Sequence, residues 1–116
     1  GNSDALCCNI DVTSLYDYHD MWNPAPKVEH ICRGLAGHYG LGHLKGVSLK
    51  EGFHIHMELA PITEDPTDWA QVLALMAPHV PDDSWVILEH VMTPEEGRAS
   101  LDHLREAAKK AGVELA

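Results

Sequence analysis

Three side chains stand where this sequence could do chemistry. Asp11 closes the apolar run CCNID, His43 lies within GLGHLKG, and Glu89 closes WVILE. Glu89 is the most telling. Four apolar residues, Trp85 to Leu88, carry it inward, and an ionised carboxylate held in such a run is costly unless something offsets it. A metal ion, a substrate or a paired cation would do so. Mixed imidazole and carboxylate donors suit Mn²⁺, Zn²⁺, Co²⁺ or Fe²⁺ more than Ca²⁺. Mg²⁺ belongs to the same expectation. A second set lies in GFHIHMELAP, where His54, His56 and Glu58 alternate and so share one face of an extended strand. Plainer roles compete for each residue. Asp11 can cap a turn, and His43 can be a hydrogen-bonded core histidine. His54 and His56 can face solvent on an edge strand, and Glu58 can be solvated or pair with Lys45.

The elements that must position these groups alternate along the chain. ALCCNIDV (5–12) reads as a strand and NPAPKVEHICRGLAGHYG (23–40) as a helix, with Asn23 as its N-cap and Pro24 in its first turn. Val28, Ile31, Cys32 and Leu35 give it one apolar stripe. LGHLKGVSL (41–49) and GFHIHMELAP (52–61) read as further strands, joined by a tight KEG. DPTDWAQVLALMAPHV (65–80) reads as a helix capped by Asp65, and SWVILEHV (84–91) as a fourth strand. The last helix, 93–113, has Thr93 and Glu96 as a capping box, Pro94 at its first position and Gly112 just past its end. Apolar strands without clean alternation, separated by helices, predict a parallel α/β sheet with the polar residues at the strand ends. Curled into a barrel, that sheet would present a set of Asp, His, His and Glu at its C-terminal rim.

Composition narrows the partners. With 116 residues the chain suffices for one domain, and Gly1 reads as a tag remnant before a single domain over 2–116. The formal charge is −10, from 18 acidic and 8 basic residues. That argues against nucleic acid and against an anionic membrane surface, and suits a small neutral or metal-chelated ligand. The cysteines number three and read as reduced thiols of a cytoplasmic protein. No apolar run approaches the roughly 20 residues that span a bilayer.

The order CNIDV, GHLKGVSL, HMELAPITEDPTDWAQVLALM and WVILEHVMTPEEGRASLDHLREAA resembles the sugar phosphate isomerase/epimerase-like superfamily. That superfamily has the xylose-isomerase-like TIM barrel and includes the family-two apurinic endonucleases. The resemblance spans residues 5–113 and falls on the last four strand–helix units of an eight-unit barrel. It implies that Asp11, His43 and Glu89 are metal ligands and that Glu89 also serves as the acid/base. It implies too that Lys45, His54, His56 and Glu58 lie at the substrate. Gly46 stands where the family has an aspartate, Ser14 where the endonucleases have a histidine, and the family's strand-four glutamate has no counterpart here.

The expectation is therefore an α/β fold, the C-terminal half of a (β/α)8 barrel with four parallel strands and three or four helices. A full barrel takes about 250 residues, so closure is expected through a homodimer. The implied function is that of a metal-dependent sugar or sugar-phosphate isomerase/epimerase, moving a proton beside a carbonyl through an enediolate. The alternatives are a truncated, non-catalytic half-barrel and a metal-dependent phosphodiester hydrolase or endonuclease.

Overall fold

A computed structural model of the chain describes residues 6–115; Gly1 and Ala5, the latter the start of the expected first strand, lie outside them. Its strands are β1 (Cys8–Ile10), β2 (Tyr39–Leu44), β3 (Gly46–Lys50), β4 (His56–Ala60) and β5 (Val86–Leu88). They form two sheets. One is parallel, in the order β1-β2-β5, and the other is the antiparallel pair β3-β4.

This corrects the expected half-barrel. Three strands are parallel, not four, and the third expected strand runs antiparallel to the one before it. The reason lies in the connection. Parallel neighbours need a crossover of roughly a dozen residues or more, whereas antiparallel ones need only a short turn. Residues 51–55, between β3 and β4, can make only a hairpin. The expected strand 41–49 is in fact two strands that meet at Lys45, where the chain leaves the parallel sheet and enters the hairpin. With three parallel strands and a separate hairpin in place of four parallel strands, the barrel expected to close with a second copy falls with the half-barrel.

Three helices follow, α1 (Ala25–Gly34), α2 (Trp69–Met76) and α3 (Pro94–Ala111). Val28, Ile31 and Cys32 of α1 are buried, as their spacing requires. Pro24, not Asn23, stands at its N-cap. In α2 the cap is Asp68, whose carboxylate accepts from the Ala70 and Gln71 amides. Asp65, expected in that role, instead accepts from the Val47 amide and the Thr67 amide, each at 2.7 Å, and so ties β3 to the approach of α2. Thr93 caps α3 by accepting from the Glu96 amide at 3.1 Å, and Gly112 ends it in a left-handed conformation with φ of 69°.

The helices share one core with the sheet. Ile10, Leu44, Val28, Ile31, Trp69, Val72, Met76 and Leu104 are buried together in it. Gly42 admits the Met76 methyl, which lies 2.6 Å from where a Cβ would stand. Alternation then sends Asn9, Leu41, His43 and Ile87 to the opposite face, where Ile87 is 43% and Trp85 77% exposed. The candidate ligands belong to this open face. Among the described residues, no helix is long and apolar enough to cross a membrane.

Candidate metal centre

Asp11 follows β1, His43 lies within β2 and Glu89 follows β5. Because β2 is the middle strand, all three come from neighbouring strand ends. His43 pairs with Ile87 in register, and the Glu89 amide donates to the Leu44 carbonyl at 2.9 Å, so β5 continues alongside β2 until its carboxylate is reached. The chain then turns sharply at His90, whose φ is 55°. A non-glycine residue rarely adopts that conformation, and here it ends the strand immediately after the candidate ligand.

One donor atom from each of Asp11, His43 and Glu89 lies within 4.8 Å of the other two. His43 Nδ1 and Glu89 Oε1 are 2.8 Å apart. The side chains are 14%, 21% and 27% exposed respectively, enclosed enough to feel one another and open enough for an ion to enter. A first-row divalent cation with bonds of about 2.0–2.2 Å would hold adjacent donors roughly 3 Å apart and opposed donors roughly 4.2 Å apart. The His43–Glu89 spacing matches adjacent positions, and the whole set fits after closing by up to about 0.6 Å. One imidazole and two carboxylates are also the donor chemistry such ions take.

Asp11 is held from several sides. Its Oδ2 accepts from Lys45 Nζ at 2.7 Å and from Ser14 Oγ at 2.8 Å, and its Oδ1 accepts from the Thr13 hydroxyl and the Ser14 amide, each at 3.2 Å. The Lys45 ammonium also donates to Ser14 Oγ, at 2.5 Å. Burial pushes the Asp11 carboxyl up, but the hydrogen bonds from Lys45 and Ser14 outweigh it and hold the group below the usual carboxylate range. Asp11 therefore enters any binding event as a carboxylate. The turn-capping role open to it from sequence is real, and it coexists with membership of the cluster.

Of the residues singled out from sequence, the structure brings together Asp11, His43, Lys45 and Glu89. His54, His56 and Glu58 are not part of this group. They belong to the hairpin, where His56 Nε2 and Glu58 Oε1 are 2.7 Å apart and the His54 carbonyl lies 3.2 Å from His56 Nδ1. The Glu58 hydrogen bond, with that of the His54 carbonyl, raises the His56 imidazole above its ordinary pKa. Glu58 faces Ser48 across the hairpin and forms no pair with Lys45. Sequence reasoning missed Thr13, Ser14 and His90. The first two carried a signal, because an aspartate followed by hydroxyl residues two and three places on is the pattern of a side-chain-capped turn. His90 carried none. No protein-family model, curated protein or solved structure matches the chain.

Proposed function

We propose that Asp11, His43 and Glu89 hold a divalent cation, and that the site serves proton transfer beside the carbonyl of a small sugar or sugar phosphate. This is the chemistry of a metal-dependent isomerase or epimerase. The observation that carries the reading is the convergence of these three donors from neighbouring strand ends onto the face the helices leave open. The motif order of the sequence supports it, since the same three residues are the ones the family pattern singles out.

A cation held there supplies Lewis-acid polarisation of the substrate carbonyl. The protein's own groups do the rest. The Glu89 carboxylate takes a proton from the carbon beside that carbonyl and returns it to another carbon or another face. His43 Nδ1 and Glu89 Oε1 are only 2.8 Å apart, so with both bound to one cation Glu89 is held in a fixed orientation against His43. Asp11 stays ionised within its ring of donors, and Lys45 brings positive charge to the side where oxyanion character develops on the substrate.

Two measurements on the full chain test this. The first is Mn²⁺ binding by calorimetry, compared between wild type, His43→Ala and Glu89→Gln. One bound ion is expected, with affinity falling at least about 100-fold in either variant, beyond what loss of a supporting hydrogen bond costs. The second is NMR in D₂O with Mg²⁺, following deuterium entry beside the carbonyl of a ketose. Wild-type protein that binds no ion, or binds it equally well without Glu89 and His43, would remove the proposal.

A further inference from the structure

The surroundings of Asp11 raise a difficulty for any incoming ion. A carboxylate offers about four lone-pair positions. Here Lys45 Nζ, Ser14 Oγ and the Ser14 amide each donate to one of the two Asp11 oxygens, while the single proton of the Thr13 hydroxyl is shared between Asp11 Oδ1 at 3.2 Å and the Lys45 carbonyl at 3.0 Å. A cation reaching Asp11 must share its oxygens with these donors or displace one of them. The Ser14 amide is fixed by the turn immediately after Asp11, and the two hydroxyls are neutral groups that can release the carboxylate by turning about χ1. Lys45 comes from the opposite side, on a flexible four-carbon stem, and it alone of the four carries a charge.

We propose that Lys45 is the counter-ion of Asp11 and that metal enters by exchange, the ammonium leaving Asp11 as the cation arrives. The inference rests on the metal reading above and deepens it, because it assigns the site a built-in competitor that sets how tightly an ion is held. Charge drives the exchange. With only Lys45 present, one positive charge faces Asp11 and Glu89. A divalent ion added beside an ammonium that stayed 2.7 Å from Oδ2 would place three positive charges against two negative ones in a half-buried pocket. The ammonium has somewhere to go, since Ser14 Oγ already accepts from it at 2.5 Å. Once free of Asp11 it is a donor at the open face, able to meet a carbonyl or phosphate oxygen of a substrate. Ion arrival and readiness for substrate are thereby one event.

The test compares wild type, Lys45→Met and Glu89→Gln as full chains by Mn²⁺ titration. Lys45→Met is expected to bind Mn²⁺ at least about tenfold more tightly than wild type, because the competing charge is gone. In wild type, acetylation of Lys45 read by mass spectrometry is expected to rise several-fold on adding Mn²⁺, a readout that does not depend on the variant folding. Mn²⁺ binding that Glu89→Gln abolishes, with Lys45→Met no tighter than wild type or with Lys45 labelling unchanged by Mn²⁺, overturns the exchange and leaves the metal site standing. No binding by wild type or by Lys45→Met overturns both.

Discussion

Replacing Gly46 with alanine should be among the most damaging single-methyl changes in this protein. A Cβ at Gly46 would overlap the Ala60 carbonyl oxygen and lie 2.7 Å from both the carbonyl carbon and the carbonyl oxygen of Pro61. Ordinary contact begins near 3.4 Å, so the facing main chain must retreat by about 0.7 Å at Pro61 and by about 1 Å at Ala60. No side chain can swing aside, because the obstructing atoms are backbone at the first rung of the β3–β4 ladder, where Gly46 faces Ala60. Overpacking of this kind costs about 2–3 kcal/mol. Shifting the neighbouring Val47 amide off Asp65, now at 2.7 Å, adds about 1 kcal/mol. A loss of about 3 kcal/mol is expected, roughly a 10 °C fall in Tm for a domain of this size. Urea unfolding followed by tryptophan fluorescence would read it, since Trp69 is buried in the core. Gly46→Asp should fare no better, although aspartate is the residue the resembled family carries at this place. If either variant keeps wild-type stability to within about 0.5 kcal/mol, the close approach of the two strands at this point is wrong.

Two further outcomes follow from the site's surroundings. Asp11 has a folded-state pKa below its ordinary value, so its pairing stabilises the protein fully above about pH 4 and is lost as pH falls through the depressed value. Asp11→Asn should therefore lose stability less steeply than wild type between pH 5 and pH 3 in urea titrations; parallel curves would contradict this. At His90, with φ of 55°, glycine should relieve backbone strain and stabilise by up to about 1 kcal/mol, whereas valine should cost more than 1 kcal/mol. Equal destabilisation by glycine and valine, measured by the same unfolding assay, would refute that account.

The local signals in the sequence were readable where one residue type has one dominant use. Thr93, Pro94 and Gly112 bound the last helix, and Val28, Ile31 and Cys32 mark the buried side of α1. Asp11, His43 and Glu89 could be singled out because each ends or interrupts an apolar run, and the fold does bring them together. The topology was harder to see. GHLKGVSL reads as one strand, and the mark of the break is no more than a change of phase in its alternation, from polar His43 and Lys45 to polar Ser48. The short link at 51–55 did carry the answer, because it is too brief for a crossover, but the pull of the family pattern favours a parallel strand there. His54, His56 and Glu58 then went with the wrong sheet, since strand alternation predicts which residues share a face but not what that face meets. Asp65 and Asp68 are equally good caps by type. Only the Val47 amide, nearly twenty residues earlier, decides between them.

The single residue between β2 and β3 gives the hairpin a mechanical meaning. Gly46 is wedged against Ala60 and Pro61, Leu44 and Val47 are both buried in the core, and Asp65 holds the Val47 amide, so the step from one sheet to the next at Lys45 is clamped on both sides. The base of the hairpin therefore moves with the parallel sheet, and the backbone at Lys45 is braced from two directions. Only the far end stands clear, where Phe53 is 97% exposed, and a fluorescent label fixed there would report motion of the tip and not of the cluster.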